Sequence, residues 1–389
     1  MRTTRTLLVL SPLVAVVLAW SLGWPVAAAE GDKRQDVPLG EPLPGLTPDQ
    51  LRMFVEGKDV FEEEEPGEEG LGPIFNEVGC GTCHFSGAIG GASEIVETRA
   101  ASYEDGVYRE FPGGSLFQSK AVRPECSEKV PPRANVRALR QTQPLFGSGL
   151  IEAIPDVQIR AYAALQAATN PEQAGRLHIV RDVASGLMRV GRFGWKSQQA
   201  TLLAFSGDAY VNEMGITTPM FPDENAPNGD MEKLAACDIL DEPEDDGFDL
   251  VLVSNFMRLL APPPRADASQ RGQQIFAQIG CAVCHYSGYR AESPIRAIDG
   301  RVVASFSDLL IHDAGTGDGI TQGEAQGHEL RTAPLWGLSV SGPYLHDGSA
   351  RTIEEAILRH ANQAARARDA FQALSPMDKE ELLEFLGSI

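Results

Sequence analysis

The pentapeptide Cys-x-x-Cys-His occurs twice, as CGTCH at Cys80–His84 and CAVCH at Cys281–His285, and no other feature restricts the fold of this chain as tightly. Two thiols three positions apart stand on one helical turn, and a histidine directly after the second projects from the same side. Both sulfurs can then add to the two vinyl groups of one porphyrin while the histidine takes its iron, so attachment and ligation are fixed together. A thioredoxin-type CxxC has no use for the trailing histidine and needs a βαβ setting that the flanks lack. A structural zinc site needs four closed ligands. The motifs therefore predict two covalently bound haem c groups, one on Cys80 and Cys83 with His84 as proximal ligand, the other on Cys281 and Cys284 with His285. The flanks repeat as well. GPIFNEVG before the first motif and GQQIFAQIG before the second each read as a short helical run with Phe and Ile turned inward.

The two copies lie 201 positions apart, His84 to His285, in a chain of 389 residues, a length that suits two domains. Pro262-Pro263-Pro264 stops the amphipathic stretch PEDDGFDLVLVSNFMRLL and makes a natural linker. The expected organisation is an N-terminal haem domain over 30–261 and a C-terminal cytochrome c-like haem domain over 265–389. The predicted fold class is mainly α, two cytochrome c-like haem domains with extensive loops and a few short strands. A helix capped near Thr47 leads in, Gly- and Pro-rich loops and short strands fill 85–155, and a helix from Ala268 to Cys281 opens the second half. A final helix, capped by Ser375 with Leu382, Leu383, Phe385 and Leu386 on its apolar stripe, closes it.

Residues 1–29, MRTTRTLLVLSPLVAVVLAWSLGWPVAAA, read as an export signal: Arg2 and Arg5, an apolar run, then small residues at a cleavage site. This predicts a periplasmic protein, with an uncleaved N-terminal anchor as the weaker reading. No later run is apolar enough to span a bilayer, so membrane contact is peripheral or absent. Loss of Arg2 and Arg5 takes the net charge from −21 to −23. So acidic a surface disfavours nucleic acid and would steer a basic electron-donor protein, such as a small cytochrome or cupredoxin, unless it is simply a solvated coat. The run EEEEPGEE at 62–69 reads as a solvated turn, with calcium as a possible guest. Four of six cysteines belong to the repeated motifs, and Cys126 and Cys237 are candidates for a disulfide.

Further ordered motifs, LFGSGLIEAIPD, RFGWKSQ, EMGITTPMFPDEN, DLLIHDAG and RTAPLWGL followed by YLHDGSARTIEEAILRH, make nearly all of the mature chain resemble the di-haem oxidoreductase family of peroxidases or thiol oxidoreductases. The chain is more distantly similar to bacterial di-haem cytochrome c peroxidases and to the di-haem enzyme that matures a tryptophan-derived quinone cofactor. The resemblance implies that His360 takes the far side of the second iron. Helical spacing agrees, since His360 shares a face with Ile353, Ala356 and Ile357, although a satisfied core histidine would look the same. His346, before the Asp347-Gly348 turn, is expected at a haem edge, bonding a propionate or loop backbone. His312 is another haem-edge candidate, and His178 reads as a surface residue.

No histidine falls between His84 and His178, so the first iron should be open, water-bound or weakly held by Met214 or Met220. The resemblance places Glu213 there as the acid/base group for peroxide, with Gln198 or Gln199 beside it, and Trp195 between the haems as an electron relay. A helix-cap role for Glu213 and plain packing for Trp195 are the alternatives; Trp336 reads as structural. The expected function is peroxide reduction at the first haem with electrons delivered through a bis-His second haem. A non-catalytic di-haem electron carrier, or an oxidase of a thiol or protein substrate, are the competing expectations.

Overall fold

Thr47 opens the body of the protein with a capping box. Its hydroxyl accepts from the Gln50 N–H at 3.3 Å, and the Gln50 side chain accepts from the Thr47 N–H at 3.0 Å, with Pro48 at the first helical position. The computed structural model describes residues 37–68 and 70–389; the leader expected over 1–29 lies outside them. Helix α1, Pro48–Glu62, buries Phe54, Gly57 and Phe61. In chain order the other helices used below are α2 (Asp156–Thr169), α3 (Leu202–Ala209), α4 (Phe248–Leu259), α5 (Gln270–Gln278), α6 (Ile353–Leu358) and α7 (Pro376–Ser388).

Two helix crossings repeat one device. α1 crosses α4 at Gly57, where a Cβ would run into the Leu252 carbonyl, and four residues on Phe61 packs against Phe256 at 4.9 Å and His84 at 5.9 Å between ring centroids. α5 crosses α7 at Gly272, where a Cβ would meet the Glu381 carbonyl, and Phe276 packs against Phe385 at 5.4 Å and His285 at 6.3 Å. Each CxxCH motif thus has a Gly-x-x-x-Phe helix against its histidine: a backbone-on-backbone approach that only glycine permits, and one aromatic that reaches the imidazole ring.

This pairing corrects the helical reading of GPIFNEVG. Ile74–Phe75 is a two-residue strand paired antiparallel with Lys120–Ala121. The counterpart of the GQQIF helix is GKDVF, Gly57 to Phe61, separated from its motif by the acidic run. The expected helix over Ala268 to Cys281 is α5 followed by a separate 3₁₀ turn at Cys281–Val283, broken at Gly280, which sits at φ +94°. The final helix is capped by Ser375 as expected.

Region 85–155 holds more sheet than its Gly and Pro content suggests. β1 (Val96–Glu104) is the spine: β2 (Val107–Arg109) and β3 (Leu116–Phe117) pair along one edge, and β4 (Val136–Gln141) along the other, all antiparallel. Cys126 and Cys237 form a disulfide between a 3₁₀ turn at Pro124–Cys126 and the helix Met231–Cys237, with Cα atoms 5.9 Å apart. Among the described residues, one core cluster joins Phe54, Phe146 and Phe256 to Tyr289, Leu309 and Trp336 across the Pro262–Pro264 segment. The chain is mainly helical, with strands on one side of the cavity described below.

The crossings make a test. Replacing Gly272 with Leu forces backbone apart and should cost about 1–3 kcal/mol. Gly387→Ala, in open space on the same α7 helix, should be neutral or stabilising by about 0.5–1 kcal/mol. Denaturant melts of both variants read the contrast.

Candidate functional site

Both CxxCH motifs face one continuous cavity of about 650 Å³, whose walls include Cys80, Cys83 and His84 from the first copy and Cys281, Cys284 and His285 from the second. None of these four cysteines is joined in a disulfide. Burial pushes Cys80, Cys83 and Cys281 up to about 12, which disfavours their thiolate forms.

Three imidazoles are prepared in the same way. A backbone carbonyl holds Nδ1 of each: Gly91 O for His84 at 3.0 Å, Phe306 O for His285 at 3.0 Å, Ala356 O for His360 at 2.8 Å. That bond fixes the ring plane and leaves Nε2 as the donor for a metal. Burial lowers all three, His84 and His285 to about 4, which keeps them as the neutral rings that ligate iron. After burial itself, the strongest influence against charging His285 is His360. His360 follows α6, and Ile353, Ala356 and Ile357 share the cavity wall with it.

The cavity wall carries buried polar atoms with no protein partner. His346, 8% exposed, has an orphaned Nδ1, and Gln141 an orphaned Oε1. Trp195 links them: its indole N–H donates to Gln141 O at 3.0 Å and its ring stands edge-on to His346 at 6.2 Å. Such orphans are costly unless a bound group satisfies them. A porphyrin, apolar in its body and carboxylate at its edge, fits this combination of paired thiols, pre-oriented imidazoles and waiting polar groups.

Opposite the first motif, α3 ends in a single π turn, Tyr210–Met214, closed by Gly215 at φ +65°. The turn is stapled to the chain before Cys80: Asn76 N donates to Glu213 O at 2.7 Å and Gly72 N to Met214 O at 3.0 Å. It brings the Glu213 and Met214 side chains to the cavity. Asn76 Nδ2 donates to Glu213 Oε2 at 2.7 Å. Burial, then the neighbouring Glu97, push Glu213 up to about 8, so it is a neutral acid at neutral pH.

The family model described as "Di-haem oxidoreductase, putative peroxidase" matches residues 127–389. This chain belongs to the di-haem oxidoreductase family. Among curated proteins it is 27% identical over 159 residues to the methylamine utilization protein MauG of Methylophilus methylotrophus, a match covering 36% of this chain and 44% of MauG. The matched stretch therefore spans less than half of that relative. Among solved structures it is similar to hydrazine synthase of Kuenenia stuttgartiensis (17% identity, 94% of this chain and 100% of the other, TM-score 0.38). A MauG-like protein associated with microbial copper homeostasis is also similar (16%, 63% and 88%, TM-score 0.32).

Within this di-haem oxidoreductase the residues singled out from sequence, Cys80, Cys83, His84, Trp195, Glu213, Cys281, Cys284, His285 and His360, all line the one cavity. Met214 and Gln198 do too, whereas Met220 and Gln199 do not. His312 lies at the second motif, its Nε2 2.8 Å from Asp308 Oδ2 and its Nδ1 3.8 Å from Cys284 Sγ. His178 corrects the surface reading. It is 3% exposed, its Nδ1 lies 2.6 Å from Lys196 O, and its Nε2 accepts from Glu324 N at 3.2 Å. Its partners come from distant segments, which local sequence does not reveal. Among the described residues the acidic run forms no group of converging carboxylates; that arrangement occurs at Glu224, Glu242 and Glu244.

Sequence reasoning missed the charged wall. Asp318, fully buried, binds Arg140 Nη2 at 2.7 Å and Lys196 Nζ at 3.0 Å, both cations also buried. Asp318→Asn should cost about 3–5 kcal/mol by stranding two buried cations. Burial would raise the Asp318 carboxyl, but Arg140 and Lys196 hold it below the usual range. Its stabilisation is therefore complete above the ordinary aspartate pKa and lost as pH falls through the depressed folded value; acid unfolding of wild type and variant should converge there.

Proposed function

We propose that this chain is an exported, periplasmic di-haem c-type oxidoreductase that reduces hydrogen peroxide at its first haem, with electrons arriving through its second. One observation supports the reading: a single cavity is lined by both CxxCH motifs together with His360, Glu213 and Met214. Cys80 and Cys83 would hold the first haem and Cys281 and Cys284 the second, in the halves 30–261 and 265–389. Bound haem would supply one-electron redox chemistry, storing and passing on electrons that come from the donor.

The chain's own groups do the rest. His84 and His285 would each hold a haem iron through Nε2, and His360 would be the second protein ligand at the Cys281–His285 haem. Glu213 moves the proton that O–O cleavage requires from one oxygen to the other. Trp195, on the cavity wall, is the proposed relay. A basic small cytochrome or cupredoxin is the proposed donor, drawn by the acidic surface. Among the described residues no helix is long and apolar enough to cross a membrane.

In the oxidised haem-loaded protein, optical and spin-resonance spectra should show one low-spin and one high-spin haem, the latter shifting with cyanide. Two low-spin haems indifferent to cyanide would leave only an electron carrier. His360→Ala should convert the low-spin signal to a water-bound or five-coordinate one. Glu213→Gln should slow peroxide reduction by about 10²–10⁴-fold at unchanged haem content; unchanged turnover would remove Glu213 from the reaction.

A further inference from the structure

The stretch RTAPLWGL opens on a charged residue and is otherwise largely apolar, so Arg331 enters the interior with it. Among the described residues four arginine or lysine side chains are buried: Arg140, Arg192, Lys196 and Arg331. Three of them have a carboxylate partner, since Arg140 and Lys196 share Asp318 and Arg192 pairs with Asp156. Arg99, 12% exposed, is likewise bound to Glu97 at 2.6 Å, and the sheet register sets Arg140 opposite Glu97. Arg331 is the exception. Its guanidinium gives its hydrogen bonds to neutral oxygens: Nε to Gly194 O at 2.8 Å, Nη1 to Thr332 O at 3.4 Å and Nη2 to Gln143 Oε1 at 3.1 Å. Each terminal nitrogen carries a pair of N–H groups, so each keeps one to give.

A buried cation is tolerated when an anion pairs with it. Burial lowers Arg331 to about 10, which leaves it charged at neutral pH, and the one charge opposing that shift is Asp308. The Asp308 Oδ2 is already taken by Gln166 Nε2 at 2.7 Å and His312 Nε2 at 2.8 Å. Arg331 lines the cavity that both CxxCH motifs face. Its two-residue strand, Leu330–Arg331, pairs antiparallel with Ile311–His312. His312 Nδ1 lies 3.8 Å from Cys284 Sγ, which sets this strand beside the second motif.

We propose that Arg331 is an anion-binding residue of the cavity and takes a propionate carboxylate of the haem attached at Cys281 and Cys284. This role rests on the haem attachment proposed above and on no step of peroxide chemistry. A porphyrin carries its carboxylates into an enclosure that is otherwise mostly apolar, and a guanidinium fork meets a carboxylate with matched N–H groups. His346, whose Nδ1 has no protein partner, lines the same cavity. Arg331 also grips the chain at Trp195 from two points, its Nε on Gly194 O and its backbone N–H on Trp195 O at 2.8 Å. The Trp195 indole bonds Gln141 O, and Gln141 N–H donates to His346 O at 2.6 Å. A carboxylate seated on Arg331 thus braces the segment that carries Trp195. The guanidinium also offsets the carboxylate charge near the iron, which favours the reduced haem.

The test uses the full haem-loaded protein and begins with its haem content. Absence of haem at Cys281 and Cys284 overturns the haem reading and this role together. With haem attached, resonance Raman spectra of the propionate bending bands and spectroelectrochemistry resolving the two haems are compared in wild type, Arg331→Gln and Arg331→Lys. Arg331→Gln should shift a bending band and, at a fixed potential, raise the ferric-to-ferrous ratio of the second haem by about tenfold. Arg331→Lys keeps the charge and should hold that ratio near wild type. An unchanged band or an unchanged ratio in Arg331→Gln, at full haem content, overturns the role of Arg331 alone. Should Arg331→Gln fail to take up haem, a crystal structure of the loaded wild type decides. A propionate oxygen within about 4 Å of the guanidinium sustains the role, and a small anion or water in its place overturns it.

Discussion

The rest of the molecule depends on keeping two histidine-bearing turns dry and rigid within one enclosure. Glycine is the means. At Gly57 and Gly272 the absence of a side chain lets helix backbones touch, which seats a phenylalanine against the histidine of each CxxCH motif. That close approach sets the depth of each motif and hence the burial that keeps thiols and imidazoles neutral. A wider crossing would admit water and loosen the ring whose Nδ1 hydrogen bond aims it.

Helices close the enclosure around both motifs, while a four-stranded sheet lines part of the first one's side. A sheet is the better wall for a charged lattice. Its two-residue period puts Glu97 and Arg99 on one face, and its antiparallel register brings Arg140 opposite. A helical turn could not have presented a carboxylate and its two guanidinium partners in so flat an array.

Much of this was legible in the sequence, for identifiable reasons. CxxCH is a local pattern whose chemistry follows from its spacing, and the face shared by Ile353, Ala356, Ile357 and His360 follows from helical period. What was hidden depends on register or insertion. VETRAAS looks like a solvated strand until β4 pairs with it, so Glu97 gave no sign of a buried partner. The acidic run separates Phe61 from Cys80, so the first helix of the repeat stood outside the window in which its likeness to GQQIF would show, and Ile74–Phe75 imitated it. His178 was misjudged because its ring bonds Lys196, 18 residues on, and Glu324, 146 residues on.

The six cysteines pose a sorting problem for maturation. Cys126 and Cys237 must be oxidised to join segments 111 residues apart, while under the proposed haem attachment the other four would have to stay reduced until porphyrin arrives. A cross-link within Cys80–Cys83 or Cys281–Cys284 would block attachment outright. The order of events is thereby constrained: the thiols of each turn need a reductant, and then their porphyrin, while the long-range link needs an oxidant that spares them. A cell producing this protein with an unbalanced thiol environment would accumulate chains that are fully translated and permanently colourless.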